Sequence, residues 1–187
     1  KIFAPCHINT YLEQLPKEMV SGVRIPKIPK IGKVLQQGSS FLARRAIEKY
    51  TPQIVHETYY SKTSPTIKGS RNVVTVYDMI HERFPSNFLK HDRDSELKLL
   101  ATQRVDHVIC ISENTRKDLL TLFDLPEDKV SVVYLGFDKL SQGHLDIHNK
   151  NRPYLLYVGK RGGHKNFEGF LSSYARSIRL RNNFNIV

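Results

Sequence analysis

The order of apolar and polar stretches along the chain predicts strands that alternate with helices. Short runs rich in apolar residues are typical of strands buried in a parallel sheet. Such runs lie at 53–56, 72–77, 106–111, 130–134 and 154–158, and a further one begins at 186–187. Longer segments with an apolar side predict helices, and these lie at 35–50, 95–103, 112–123 and 167–178. We therefore expect an α/β fold, a Rossmann-like parallel sheet with helices on both faces.

Polar residues stand where several predicted helices begin. Their oxygen atoms can accept a hydrogen bond from the free backbone N–H groups of a first helical turn. The expected caps are Asp92, Asp94, Ser112 and Asn166.

Residues 7–33 show little periodicity and carry three prolines and several basic residues. We interpret this segment as a loop-rich, basic surface element. It either contacts membrane headgroups or an acceptor, or it is a solvated loop.

A polar stretch without periodicity divides the chain. Residues 138–152 are interpreted as a linker between a first domain, 1–137, and the start of a second domain, 153–187. The second segment holds one incomplete β-α unit, which is too small to bury a core by itself. The first domain has no glycine-rich first strand and turn at its start. We therefore expect the chain to be a fragment.

Composition limits the class of protein. The chain has 187 residues, an apolar content of 40% and a net charge of +11, but no apolar run of membrane-spanning length and no signal-peptide pattern. Two distant cysteines, Cys6 and Cys110, suit a reducing compartment and offer no zinc site. The positive charge is spread along the chain, and nucleic-acid-binding motifs are absent. We expect a phosphorylated ligand or an anionic membrane, and no nucleic acid.

The most informative stretch begins with the predicted strand at 154–158. Gly159 ends this strand, and Lys160, Arg161, Gly162 and Lys165 follow in a glycine-rich turn before a helix. Backbone N–H groups and a helix N-terminus bind anions. The spacing differs from a Walker A loop and from G-x-G-x-x-G. The stretch is therefore either a phosphate or diphosphate site with side-chain cations, or an ordinary strand–turn–helix with solvated cations.

A polar cluster follows the clearest strand, 72–77. It consists of Tyr77, Asp78, His81 and Glu82. Open α/β sheets bind ligands at the carboxyl ends of their strands, so a ligand site is one interpretation. A capped turn is the other.

Four segments, in matching order and spacing, resemble the retaining glycosyltransferases of family 4 (glycosyl transferases group 1), which have the two-Rossmann GT-B architecture. Segment 74–84 is similar to the family's strand that ends in His-Asp-Met/Leu-Ile, although Tyr77 stands where the family usually has histidine. Segment 108–119 is similar to its strand followed by Ser-Glu, 130–138 to the strand before the linker, and 153–170 to the first strand and loop of the nucleotide-sugar domain.

The resemblance implies a donor, a nucleoside-diphosphate sugar, and a reaction without an obligatory metal or other cofactor. The family places a cation just after the glycine of this last strand and a lysine a few residues on. By position these are Arg161, with Lys160 as the alternative, and Lys165, and we expect Arg161 and Lys165 to be catalytic. Gly159, Lys160 and Gly162 would then contact the donor diphosphate, whose leaving charge fixed cations stabilise.

The resemblance also implies an acceptor cleft on the first domain, lined by residues that follow its strands. The expected residues are His56, Tyr59, Tyr77, Asp78, His81, Glu82, Ser112 and Glu113. For the last two, capping of the helix is an equal alternative.

The function that the resemblance implies is transfer of a hexose-type sugar to a saccharide or lipid-linked acceptor, in the synthesis of cell-surface polysaccharide such as lipopolysaccharide. The parent protein would be cytoplasmic, with peripheral contact to the inner membrane, and the fragment alone would be inactive. The alternative is a non-catalytic α/β module that binds a phosphorylated ligand. A nucleic-acid-binding protein would rest on the charge alone.

Overall fold

The computed structural model describes residues 1–26, 32–63, 67–89, 92–137 and 152–187. The chain divides into two compact units. The first comprises Lys1–Met79 and Arg93–Tyr134, and the second comprises Ile80–Asp92 and Leu135–Val187. The predicted linker, 138–152, lies outside the described residues except for Arg152.

The first unit contains six strands and three helices among its described residues. The strands are β1 (Ile2–His7), β2 (Val20–Arg24), β3 (Ile54–Glu57), β4 (Arg71–Val76), β5 (His107–Cys110) and β6 (Val130–Val132). The helices are α1 (Gly32–Tyr50), α3 (Asp94–Arg104) and α4 (Glu113–Phe123), with α2 (Ile80–Arg83) lying in the second unit.

The strands of the first unit form two parallel sheets. One has the order β1-β2 and the other the order β3-β4-β5-β6. In the larger sheet Val74 pairs with Val108, which in turn pairs with Val130. Helices α3 and α4 connect β4 to β5 and β5 to β6, as parallel neighbours require.

The core lies between this sheet and its connecting helices. Val74, Val76 and Val108 are fully buried, as are Ala101 of α3 and Leu119 of α4. Their β-branched and aliphatic side chains suit a sheet face covered by helices. Burial of each such valine or leucine contributes about 1.5–3 kcal/mol relative to exposure.

Besides α2, the described residues of the second unit contain a smaller parallel pair, β7 (Tyr154–Leu155) and β8 (Asn185–Ile186), and two further helices, α5 (Phe167–Arg176) and α6 (Ile178–Asn183). Tyr157 packs against Phe167 and Phe170, with ring centroids 4.6 and 5.7 Å away. These three rings join the segment after β7 to the first turn of α5.

The structure confirms the predicted fold class, because the described strands are parallel and flanked by helices. It also confirms Ser112 as a cap, since its hydroxyl accepts a hydrogen bond from the N–H of Thr115 at 3.2 Å. Among the described residues, none of the helices combines the length and the apolar character that a membrane crossing requires.

Several local predictions were wrong. Segment 7–33 contains strand β2, although residues 27–31 lie outside the described part of the chain. The strand predicted at 154–158 ends at Leu155. The helix predicted at 167–178 ends at Arg176, because Ser177 is extended and caps α6 with its hydroxyl.

Three predicted caps, at the starts of two helices, were also wrong. Asn166 precedes α5 in a left-handed conformation, with φ 51°, and its side chain makes no capping hydrogen bond. Arg93, rather than Asp92 or Asp94, occupies the cap position of α3, and Asp94 is the first helical residue. In both places a polar residue close to a helix start was insufficient evidence for a cap.

Candidate functional site

The carboxyl ends of β3, β4 and β5 lie along one edge of the larger sheet, because these strands are parallel neighbours. Six of the eight predicted acceptor residues lie on or just after these ends: His56, Tyr59, Tyr77, Asp78, Ser112 and Glu113. The other two, His81 and Glu82, lie in α2, in the second unit.

The end of β3 is fixed by a buried ion pair. Nη2 of Arg104 lies 2.6 Å from Oε2 of Glu57, and the Glu57 side chain is only 6% exposed. Nη1 of Arg104 donates to the carbonyl of Ser61 at 2.6 Å, and the Ser61 hydroxyl donates to Glu57 at 2.9 Å. The last turn of α3 is thereby joined to the loop that follows β3.

Two predicted residues of β3 and its loop have hydrogen-bonded side chains. Nε2 of His56 lies 2.8 Å from the hydroxyl of Thr75 on β4, and His56 remains exposed. The Tyr59 hydroxyl donates to Asp94 at 2.7 Å, and its ring packs against that of Tyr60 at 4.6 Å. Both side chains are exposed and each already makes one hydrogen bond, so these bonds do not favour one residue over the other as a ligand contact.

The turn after β4 is held by side chains from three other segments. The N–H of Tyr77 donates to the Tyr60 hydroxyl at 3.4 Å. The carbonyl of Tyr77 accepts from the Thr115 hydroxyl at 3.3 Å, and that of Asp78 accepts from Nζ of Lys98 at 2.8 Å. The backbone of this turn is therefore fixed, while the side chains of Tyr77 and Asp78 are half-buried.

The end of β5 continues into the first turn of α4. The Ser112 hydroxyl serves as the helix cap, so the capping interpretation holds for this residue. Glu113 is exposed in the first helical turn, where a carboxylate interacts favourably with the helix dipole. Just before them, burial raises the pKa of the Cys110 thiol to about 11, which makes Cys110 a poor nucleophile.

In the second unit, α2 carries the remaining predicted acceptor residues. The His81 ring stacks on Phe88 at 3.8 Å, and its Nε2 lies 3.4 Å from a carboxylate oxygen of Asp92. Glu82 lies in the same short helix and is half-buried.

The glycine-rich loop, residues 159–165, contains two glycines with positive φ angles. Gly159 has φ +145° and Gly163 has φ +64°, which side-chain-bearing residues rarely adopt. A short 3₁₀ turn covers Gly163–Lys165. The Tyr157 hydroxyl donates to the carbonyl of Lys160 at 2.9 Å, so the aromatic cluster also anchors the start of the loop.

The three candidate cations of this loop differ in how they are held. The Arg161 guanidinium lies 5.4 Å from the ring centroid of Phe167, a cation–π geometry that limits its freedom. Lys160, Arg161 and Lys165 are all exposed. The loop can therefore present positive charge to an anion, with Arg161 in a defined position.

The sequence did not reveal the buried residues Lys98 and Glu57, or the partly buried Arg104 that pairs with Glu57. Glu57 is the last residue of β3, and Lys98 stands between leucines at 97 and 99; these positions were the available signals. A charged residue in such a place more often points to solvent, so the pattern alone does not predict burial.

The folded chain is thus an α/β protein of parallel sheets, with polar residues at the carboxyl edge of one sheet and a basic glycine loop after another strand. A family model described as Glycosyltransferase Family 4 matches residues 7–139, more than half of the chain. The chain belongs to this family.

A comparison with solved structures found a similar glycosyltransferase from Rickettsia africae ESF-5. The two chains share 18% sequence identity with a TM-score of 0.48, and the match covers 96% of this chain and 57% of that one. The chain therefore spans little more than half the length of that structure. No curated protein matches the chain significantly.

Proposed function

We propose that the chain is part of a glycosyltransferase that moves a sugar from a nucleoside-diphosphate sugar to a saccharide or lipid-linked acceptor, with retention of the anomeric configuration. The observation that carries this proposal is the family match over residues 7–139. The basic glycine loop at 159–165 supports a donor with a diphosphate, because it joins three cations to a backbone that leaves room for phosphate oxygens.

The proposed reaction breaks the bond between the anomeric carbon and the β-phosphate oxygen. The electron pair remains on that oxygen. The acceptor hydroxyl oxygen forms the new bond to carbon, and its proton passes to the leaving diphosphate. Arg161 and Lys165 are proposed to stabilise the charge that develops on the leaving diphosphate. Arg161 is favoured over Lys160 as the first cation because the Phe167 ring holds its guanidinium. Gly159, Lys160 and Gly162 would line the diphosphate.

Fixed cations can take the place of a metal in this reaction, so we propose that no metal is obligatory. Activity of the full-length protein should then persist in excess EDTA. Loss of activity in EDTA that is restored by a divalent cation would contradict this part of the proposal.

The acceptor is proposed to bind along the carboxyl edge of the larger sheet. In the first unit His56 and Glu113 have exposed side chains at this edge, and Asp78 and Tyr77 are half-buried. Because Ser112 caps α4, it is better suited to shaping the edge than to binding a sugar. Tyr59 is exposed and remains a proposed acceptor residue. His81 and Glu82 remain proposed acceptor residues.

We further propose that the parent enzyme is cytoplasmic, lies against the inner membrane and acts in surface-polysaccharide synthesis. Helix α1 supports membrane contact, since Phe41 and Leu42 are 58% and 50% exposed beside the exposed cations Arg45 and Lys49. The test is flotation of the protein with liposomes. More protein should float with anionic than with neutral vesicles, and Phe41→Ser should reduce the fraction that floats with anionic vesicles. Equal flotation with the two kinds of vesicle would contradict the membrane contact.

The decisive experiment combines sugar transfer with nucleotide binding, using the full-length protein and a panel of nucleoside-diphosphate sugars. Arg161→Ala and Lys165→Ala should each lower kcat by about a hundredfold or more, the range seen when one transition-state donor is removed. Arg176→Ala, which removes an exposed arginine near the end of α5, is the matched control and should retain activity. The anomeric coupling in the product's NMR spectrum tests retention.

Two results would overturn the proposal in different ways. No binding of any nucleoside diphosphate, together with full activity of Lys165→Ala, would exclude the donor site. Binding of phosphorylated ligands without any transfer would favour the alternative, a non-catalytic α/β module.

A further inference from the structure

Lys98 is a charged residue in an unusual place. It is 1% exposed and is among the largest fully buried side chains in the described part of the chain. Lysine is rarely buried to this extent without polar partners, because its charged group loses hydration. The burial of Lys98 therefore calls for a structural explanation.

The contacts of Lys98 point to the turn after β4. Nζ donates to the carbonyl of Asp78 at 2.8 Å, across twenty residues of sequence. The same nitrogen lies 5.5 Å from the ring centroid of Tyr60, in the loop after β3. One side chain of α3 thus joins the segments that follow two neighbouring strands.

Three side-chain bonds to the backbone of this turn are described, and the bond from Lys98 is the shortest of them. The Tyr60 hydroxyl and the Thr115 hydroxyl contact Tyr77 at 3.4 and 3.3 Å, at the long end of the range for hydrogen bonds. The 2.8 Å bond from Lys98 has the length of a charge-assisted bond. The short bond from Lys98 therefore holds the Asp78 carbonyl firmly.

Packing alone does not account for a lysine at this position. A methionine has a similar length and flexibility and fills apolar space without losing hydration. Replacing a buried ionic group by an apolar one of similar volume is often neutral for stability or favourable. A lysine at this position is better explained by the hydrogen bond from its nitrogen to the carbonyl of Asp78, at the carboxyl edge of the sheet.

We propose that Lys98 is a positioning residue for the acceptor side of the site. It acts through the backbone of Asp78, and it sets where the Tyr77 and Asp78 side chains stand along the edge of the sheet. The proposal rests on the function proposed above for this edge. It assigns to a buried lysine of α3 a role in acceptor binding, and none in contact with the donor.

The chain offers a matched control for this lysine. Nζ of Lys129 also donates to a backbone carbonyl at 2.8 Å, that of Gln103 near the end of α3. Lys98→Met and Lys129→Met therefore remove the same kind of bond from two places, only one of which is the turn after β4. Lys98→Arg keeps a cationic donor and serves as the conservative variant.

The first measurement is amide hydrogen exchange in the full-length protein, and it does not depend on activity. Lys98→Met should speed exchange at residues 77–79 by about tenfold, as expected for loss of a hydrogen bond to a charged group. Lys129→Met should leave these amides unchanged, and Lys98→Arg should restore most of the protection. Unchanged exchange at 77–79 in Lys98→Met would overturn the proposal, whether or not the protein transfers sugar.

The second measurement separates positioning from general stability. With transfer established, Lys98→Met should raise the acceptor KM by about tenfold and leave the donor KM within twofold, because only the acceptor side is disturbed. Lys129→Met should change neither constant. Faster exchange with an unchanged acceptor KM would overturn the role in acceptor binding, and absence of transfer in the wild type would count against the proposed function alone.

Discussion

Replacing Arg104 by methionine removes one partner of a buried ion pair and leaves the Glu57 carboxylate in place. The two charged groups are 2.6 Å apart, and their side chains are 22% and 6% exposed. Removal of one member of a buried pair costs about 3–5 kcal/mol, because the remaining charge loses its partner without regaining water. Glu57 keeps the hydrogen bond from the Ser61 hydroxyl and Arg104 is partly exposed, so we expect the lower part of this range.

The matched control is Arg71→Met. Arg71 and Asp106 form an ion pair of 2.8 Å whose side chains are 78% and 36% exposed. An exposed pair contributes about 1 kcal/mol or less. The two variants therefore make the same chemical change at similar distances and differ in burial.

The double variant Glu57→Met/Arg104→Met tests the reasoning further. When both charges are replaced by apolar groups, no isolated charge remains, and the loss should be smaller than the sum of the two single losses by about 2–3 kcal/mol. Urea unfolding followed by far-UV circular dichroism measures all these free energies, which suits a chain without tryptophan. If Arg104→Met lowers the unfolding free energy no more than Arg71→Met does, burial does not determine the strength of the pair. A double variant that loses the full sum of the two single losses would equally contradict the coupling of Glu57 and Arg104.

Three further predictions concern other parts of the chain. Gly22→Ala should destabilise the β1-β2 pair, because a Cβ there would overlap backbone of the facing strand, whereas Gly38→Ala has open space and should stabilise α1 by about 0.5–1 kcal/mol in thermal unfolding. The N–H of Asn72 and a neighbouring guanidinium hold the pKa of the Asp106 carboxyl below its usual value, so Asp106→Asn should be less stable than the wild type at pH 7. This difference in unfolding free energy should vanish as the pH falls below the lowered pKa, and a constant difference down to pH 2 would contradict the prediction. Cys110 should resist a thiol reagent at pH 8 until urea is added, since its thiol is buried with a pKa of about 11; rapid labelling in the folded protein would disprove its burial.

The strands of the larger sheet were predictable because they carry β-branched and aliphatic residues that a buried parallel strand needs. Val74, Val76 and Val108 give that pattern directly. Strand β2 lacks it: its residues are half-buried or exposed, and it pairs with β1 alone. A strand of this kind leaves little trace in the hydrophobic pattern, so segment 7–33 was predicted to be loop.

The candidate site was predictable at the level of strand ends, but the roles of individual side chains were not. Residue order places Asp78 and Ser112 just after strands, and sequence alone allowed either a cap or a ligand contact at Ser112. The structure shows the cap as a local bond from the N–H of Thr115, three residues on, which the sequence allowed but did not establish. The burial of Lys98 could not be predicted either. A lysine in a helix usually extends into water, and only the tertiary packing of this fold buries it.

The glycine loop and the turn after β4 differ in how far they are preorganised, and this difference bears on catalysis. The backbone of the turn is already bonded to side chains, whereas Lys160, Arg161 and Lys165 stand in water, with only Arg161 held over a ring. A cation and a phosphate oxygen 4 Å apart attract each other by about 1 kcal/mol in water and about 4 kcal/mol at the effective dielectric constant near a protein surface. If the loop binds a diphosphate as proposed, the same cations would bind it weakly in the open loop and stabilise it strongly once water is excluded. Since exclusion of water strengthens each cation–phosphate contact, the proposed catalytic role of Arg161 requires that its loop be covered during the reaction. Its removal should therefore reduce kcat more than it weakens binding of the free nucleotide.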